Sequence, residues 1–228
     1  PDAAQMNAKV REMIAEALKA DGVEEIFKMG EDSAEAVDIF DDEYLSKIER
    51  IKLPNTKIKL LQQLLAKALG QFKKTNHAKS IDFSKRFQAL VEKYNERKED
   101  DVLVSQVLEE FSDEIISLYQ ELKIELHSHE DLGISFEEKA FYDILLGLAK
   151  KYDFTYPEDK LLELAKEVKR IVDDKASYTD WSRRDDVKAE LKVDLILVLA
   201  KYGYPPIDRD EVYKDIFIQA EEFKKARV

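Results

Sequence analysis

The sequence predicts an all-α fold, an irregular multi-helix bundle of about eight to ten helices with no substantial sheet. Three observations carry this. Apolar residues recur at helical spacing along nearly the whole chain. Only 6 glycines and 5 prolines occur in 228 residues while 38% are charged, a composition that suits helices and disfavours a loop-rich β fold. No stretch alternates apolar and polar residues beside turn chemistry.

Val10, Met13, Ile14, Ala17 and Leu18 predict a first helix ending near Asp21-Gly22. Asp32-Ser33-Ala34-Glu35 reads as a capping box opening a short helix with Val37 and Phe40. Tyr44, Leu45, Ile48 and Ile51 predict another helix that stops before Pro54. Asn55 or Thr56 can cap the next helix, which carries Ile58, Leu61, Leu64, Leu65, Ala68, Leu69 and Phe72. After a polar hinge, Lys73 to His77, the pattern resumes with Ile81, Phe83, Phe87, Leu90, Val91 and Tyr94. The longest predicted helix runs from Val104 through Phe111, Ile115, Leu118, Leu122 and Leu126 toward Gly133, about 25 residues or 38 Å.

Ser135-Phe136-Glu137-Glu138 is a well-formed capping box, followed by Phe141, Ile144, Leu145 and Leu148. Tyr152 to Tyr156 is aromatic and irregular. Pro157 opens a helix with Leu161, Leu164, Ala165, Val168, Ile171 and Val172 inward. The stretch Thr179–Pro206 holds the only tryptophan and has both helix ends written in. Ser182 and Asp185 resemble a capping box. Val187, Leu191, Leu195, Val198 and Leu199 form the stripe, with Ile196 and Leu197 widening it, and Gly203 with Pro205-Pro206 stops the helix. Trp181 and Tyr202 read as core anchors, the indole N–H bonded to backbone or water. Val212, Ile216, Phe217, Ala220 and Phe223 make the last helix. Residues 1–53 read as a helical linker region to something missing at the N-terminus, and 54–228 as a helical domain.

Net charge is −12, which argues against indiscriminate nucleic-acid binding by the whole chain. The charge is uneven. Lys57 to Lys98 holds 11 basic against 3 acidic residues, and Glu99 to Asp143 holds 14 acidic against 2 basic. The basic set Lys73, Lys74, His77, Lys79, Lys85 and Arg86, with the smaller patch Arg183, Arg184 and Lys188, can face the chain's own acidic helix, an acidic partner, or phosphates. Cysteine is absent, so thiolate metal sites and disulfides are excluded, and a reducing cytoplasmic setting fits. No run reaches the roughly 18 apolar residues of a membrane span. The chain begins at Pro1, as a fragment or processed piece would.

His127-Ser128-His129-Glu130-Asp131 is the most metal-like cluster, but residues two apart on a helix diverge and no third ligand is anchored elsewhere. Asp41-Asp42-Glu43, Asp100-Asp101 and Asp173-Asp174 read as solvated helix ends. Neither a Walker loop, nor G-x-G-x-x-G, nor the G-x-S-x-G serine motif occurs, and the first absence excludes a conventional P-loop ATPase within this chain. No catalytic, cofactor-binding or metal residue is assigned.

Two blocks add a family. PNTKIKLLQQLLAKALGQFKKTNHAKSIDFSKRFQALVEKYNER (Pro54–Arg97) and TDWSRRDDVKAELKVDLILVLAKYGYPP (Thr179–Pro206) together resemble the C-terminal helical domain of the restriction (motor) subunit of type I restriction endonucleases. GISFEEKAFYDIL (Gly133–Leu145) fits between them, and the resemblance covers roughly Pro54 to Ala220. It implies a non-catalytic assembly domain, linking a DNA-translocating, DNA-cleaving subunit to the modification and specificity subunits. The family's nuclease and RecA-like ATPase domains, with their ATP and Mg, would lie upstream. DNA would be met through the whole complex. The alternative is a DNA-contacting helical module using Lys57–Lys98.

Overall fold

The computed structural model describes residues 39–96, 105–178, 180–205 and 209–226. Along them lie α1 (Asp42–Glu49), α2 (Pro54–Thr75), α3 (His77–Asn95), α4 (Ser105–Leu126), α5 (Ser128–Asp131), α6 (Phe136–Lys151) and α7 (Glu158–Ala176). A 3-10 turn (Trp181–Arg183), α8 (Asp185–Lys201) and α9 (Arg209–Ala226) complete the order. Nine α-helices and no strand among the described residues agree with the predicted all-α class and helix count. The predicted helix over 10–18, the Asp32–Glu35 box and Asp100-Asp101 lie outside the described residues. The chain divides into two compact units, Pro1–Ala68 with Phe87–Gln120 and Leu69–Arg86 with Glu121–Val228.

In the first unit, Asp41 caps α1 by accepting the Glu43 N–H at 3.0 Å, so this acidic cluster is a helix end as predicted. Pro54 is the first residue of α2, where its missing N–H costs nothing, so the helix opens one residue ahead of the predicted Asn55 or Thr56 cap. The Asn55 side chain instead accepts the Tyr94 hydroxyl at 3.0 Å. Ile58, Leu61, Leu64 and Leu65 of α2 are buried, as are Leu108, Phe111, Ile115 and Leu118 of α4. Tyr119 lies over Phe40 with ring centroids 6.2 Å apart, and its hydroxyl donates to the Ile39 carbonyl at 2.9 Å.

In the second unit, one apolar core is built from α6, α7, α8 and α9, with α7 packed on both α6 and α8. The predicted inward residues of α7, from Leu161 to Val172, are all buried. The capping box forms as written: Ser135 Oγ accepts the Glu138 N–H at 3.1 Å, and Glu138 accepts the Ser135 N–H at 2.9 Å. Helix α4 has 22 residues, about 33 Å, rather than the predicted 25. It breaks at His127, and α5 makes a separate turn before Gly133.

Three helix ends share one geometry. After α8, the Gly203 N–H bonds the Ala200 carbonyl and the Tyr204 N–H reaches Leu199, with Gly203 left-handed at φ 66°. After α6, Asp153 takes that position at φ 53°, bonding Lys150 while Phe154 bonds Ala149. Gly133 does the same after α5. The loops after α6 and α8 interlock. Tyr204 stands edge-on to Phe154 and Tyr156 at 5.3 and 5.4 Å, and its hydroxyl donates to the Leu145 carbonyl at 2.7 Å. Burial pushes the Tyr204 phenol well above its usual range, so it stays a donor. A Cβ at position 203 would meet no atom within 4 Å, so Gly203→Ala carries only the backbone cost of the left-handed conformation. Thermal or chemical unfolding should register about 1–2 kcal/mol of destabilisation. A change of a few tenths would mean that the loop relaxes.

The Thr179–Pro206 stretch departs from its reading in three places. Ser182 does not cap α8: it sits inside the 3-10 turn, and Arg184 takes the cap position without a side-chain bond to the backbone. Trp181 is buried as predicted, but its indole N–H has no acceptor among the described residues. Leu197 does not widen the buried stripe; it is 63% exposed, with Val193 one turn earlier at 54%. From Leu195 to Ala200 every residue of α8 is apolar, so composition alone misjudged its outer face there.

Candidate functional site

The basic segment meets the acidic one. Along α3 and α4, Arg86 contacts Glu121 at 2.6 Å, Lys93 contacts Glu114 at 3.1 Å and Lys79 lies 3.8 Å from Glu125. The Arg86 bond holds the Glu121 carboxyl below its usual range and raises the guanidinium. These pairs are largely exposed and each contributes little, about 0–1 kcal/mol, but they fix charge register between the helices. Of the remaining residues singled out from the sequence, Lys73, Lys74, Lys85 and Arg183 are exposed and Lys188 is half-buried. Arg184 turns onto Asp186 at 2.6 Å and lies over the Tyr178 ring at 5.3 Å. The basic residues therefore do not converge on one built pocket.

The histidine cluster is dispersed as well. His127 Nδ1 lies 3.3 Å from Glu130, while His129 Nδ1 lies 3.2 Å from the Leu126 carbonyl and its ring meets Phe136 edge-on. Among the described residues no three His, Cys, Asp or Glu side chains gather as metal ligands.

A polar node that pattern reading missed lies in the second unit, where α2 and α3 meet. Asn76, Lys139, Asp143 and Gln219 are all buried. Lys139 Nζ donates to both Asp143 oxygens at 2.8 and 2.6 Å and to Glu125 at 3.1 Å. Asn76 Nδ2 donates to Asp143 at 2.7 Å, and its oxygen accepts the Lys79 N–H at 3.1 Å, capping α3. Gln219 of α9 accepts the His77 N–H at 2.7 Å. Burial pushes the Asp143 carboxyl up, against the pull of the Lys139 ammonium, of Lys79 and of Asn76. Lys139 and Asp143 stand one turn apart on α6, a spacing the sequence displays, but nothing local marks the pair as buried.

The outer face of α7 and α8 is different in kind. A shallow cleft of about 450 Å³ runs between them, lined by Arg170, Ile171, Lys175, Tyr178, Leu197 and Lys201 among others. Six of its ten lining residues are charged, among them Arg170 paired with Glu167 at 3.0 Å and Lys175, which pairs with Glu190 at 2.8 Å. Tyr178, 52% exposed, and Leu197 stand among these charges as exposed apolar side chains. Exposed apolar side chains set among charges are found at protein-binding surfaces.

Comparison with known proteins places these features in a family of restriction-enzyme subunits. The model for the C-terminal region of type I restriction enzyme HindI endonuclease subunit-like proteins matches residues 1–226, and the chain belongs to that family. It is 24% identical over 213 residues to the type I restriction enzyme HindI endonuclease subunit of Haemophilus influenzae, covering 93% of this chain and 19% of that protein. It is 23% identical over 195 residues to a protein of Methanocaldococcus jannaschii named as a candidate type I restriction enzyme MjaIXP endonuclease subunit, covering 85% and 18%. The chain thus spans less than a fifth of the length of the curated relatives it matches. No solved structure matches it significantly. No described helix is long and apolar enough to cross a membrane.

Proposed function

We propose that this chain is a non-catalytic docking region, which joins the motor subunit of a type I restriction enzyme to its modification and specificity subunits. The observation that carries the reading is the α7–α8 face, where Val193 and Leu197 are exposed on α8, a helix whose opposite side is core, and Tyr178 is exposed just past the end of α7. Family membership and the resemblance of the Pro54–Arg97 and Thr179–Pro206 blocks support it. The pairing of Arg86 and Lys93 with Glu121 and Glu114 favours protein docking over a grip on duplex DNA, because those cations already have counter-charges. In this reading ATP, Mg and the nuclease chemistry belong to the rest of the subunit.

The test is capture of the folded chain by the cognate modification–specificity complex. Val193→Glu with Leu197→Glu should weaken capture by about tenfold or more, since central apolar contacts dominate such interfaces. Both side chains are exposed, so the melting temperature should hardly move. Undiminished capture of the double variant would move the interface elsewhere. A folded wild-type chain that is not captured at all would end the docking reading.

A further inference from the structure

Helix α8 carries a second apolar stripe on the side away from the core. Its inward residues Val187, Leu191, Leu195, Val198 and Leu199 are buried. On the opposite side Ala189, Val193, Leu197 and Ala200 are exposed and Ile196 is half-buried. Ala189, Val193, Ile196 and Ala200 stand 4, 3 and 4 residues apart, the spacing with which one helix receives another. This seam is about 16 Å long and reads the same from either end, small residues outside and β-branched residues inside.

Such a seam matches itself when a second copy runs antiparallel to it. Ala189 then faces Ala200 of the second copy, and Val193 faces its Ile196, with Leu197 closing over these central layers. The same register leaves Glu190 only about 3 Å along the axis from Lys201 of the second copy, on the same flank. Lys201 is exposed over the Tyr202 ring at 5.9 Å and has no carboxylate partner among the described residues. Glu190 takes Lys175 of α7 at 2.8 Å on one oxygen and has the other for a second cation. The remaining charges beside the seam are held aside. Lys192 pairs with Asp210 at 3.0 Å, and Asp194 lies 3.7 Å from Lys175.

We propose that the chain pairs with a second copy of itself through α8, antiparallel, with Val193 and Ile196 at the centre and Glu190–Lys201 pairs on the flank. One helix against one helix is a small interface, so the dimer is weak and fills at on the order of 100 μM chain. Self-pairing covers the face proposed above for docking, so the two exclude one another, yet it needs no partner subunit.

Sedimentation velocity of the intact chain, from dilute to several times that concentration, tests the pairing. The mass should rise toward twice that of the monomer. Glu190→Lys or Lys201→Glu alone should weaken pairing by about tenfold, because each dimer then holds two like-charge contacts, and the two together should restore it. The chain has no cysteine of its own, so the register can be trapped. Ala189→Cys and Ala200→Cys chains, mixed under mild oxidation, should link to each other rather than to themselves. A chain that stays monomeric throughout would overturn the proposal, as would a dimer indifferent to both charge reversals, or one in which Ala189→Cys links to itself. The docking reading fails separately. Capture of a chain that never dimerises ends self-pairing alone, and a dimer-forming chain that is not captured even when dilute ends docking alone.

Discussion

Trp181→Ala is expected to lower the free energy of unfolding by about 3–5 kcal/mol, the cost of emptying a fully buried aromatic site. The ring is 0% exposed and belongs to the core shared by α6, α7, α8 and α9, with the Phe217 ring 6.5 Å away at a steep angle. The 3-10 turn holds it there: the Arg184 N–H returns to the Trp181 carbonyl at 3.1 Å, so the backbone is not free to collapse into the space. Because the indole N–H has no acceptor among the described residues, truncation forfeits packing and no hydrogen bond. Trp181→Phe should therefore cost clearly less than the alanine change, since it also removes an unsatisfied donor. Equilibrium urea unfolding separates the two, and a loss below about 1 kcal/mol for alanine would contradict a core role.

Asp143→Ala is expected to cost a similar amount, about 3–5 kcal/mol, for a different reason. It leaves the Lys139 ammonium, almost as buried, with Glu125 alone, and it strands the Asn76 amide that caps α3. Replacing both charges at once, Lys139→Met with Asp143→Leu, should cost far less than the sum of the single changes, because the desolvation of the charges disappears with them. Additive losses would show that the pair does not act as a unit. The direction of the Asp143 shift supplies a second readout. Its folded value lies above the unfolded one because burial outweighs the attraction of Lys139, so the folded state binds this proton more tightly. The contribution is therefore fully present below the unfolded carboxylate range and is lost as pH rises through the folded value. A stability-versus-pH curve for wild type minus Asp143→Asn should fall with rising pH across that window. A difference that rises instead would place the Asp143 pKa below its ordinary value.

Much of the architecture was legible because helices announce themselves locally. The apolar stripes of α2, α4 and α7, the Ser135–Glu138 box and the left-handed Gly203 all depend on residues within a few positions of one another. Asp153 shows where this fails. It takes the same left-handed conformation as Gly203, but an aspartate there carries no glycine signal, so the loop after α6 read only as irregular. The buried node failed for a related reason. Lys139, Asp143, Asn76 and Gln219 are ordinary surface residue types, and only contacts across 67 and 142 residues bury them. Leu197 failed in the opposite sense: within the uninterrupted apolar run Leu195–Ala200, hydropathy does not say which side faces out. The family was legible through its motifs, whereas the surface of α8 needed coordinates.

The paired loops after α6 and α8 carry a consequence for chain length. Tyr156 donates its hydroxyl to the Tyr202 carbonyl, Tyr204 donates to Leu145, and Phe154 closes on the Tyr204 ring. Each loop is thus measured against the other. An insertion or deletion of one residue in either would rotate its aromatic side chains away from their acceptors. Related chains should therefore confine length variation to other connections and keep both of these the same size.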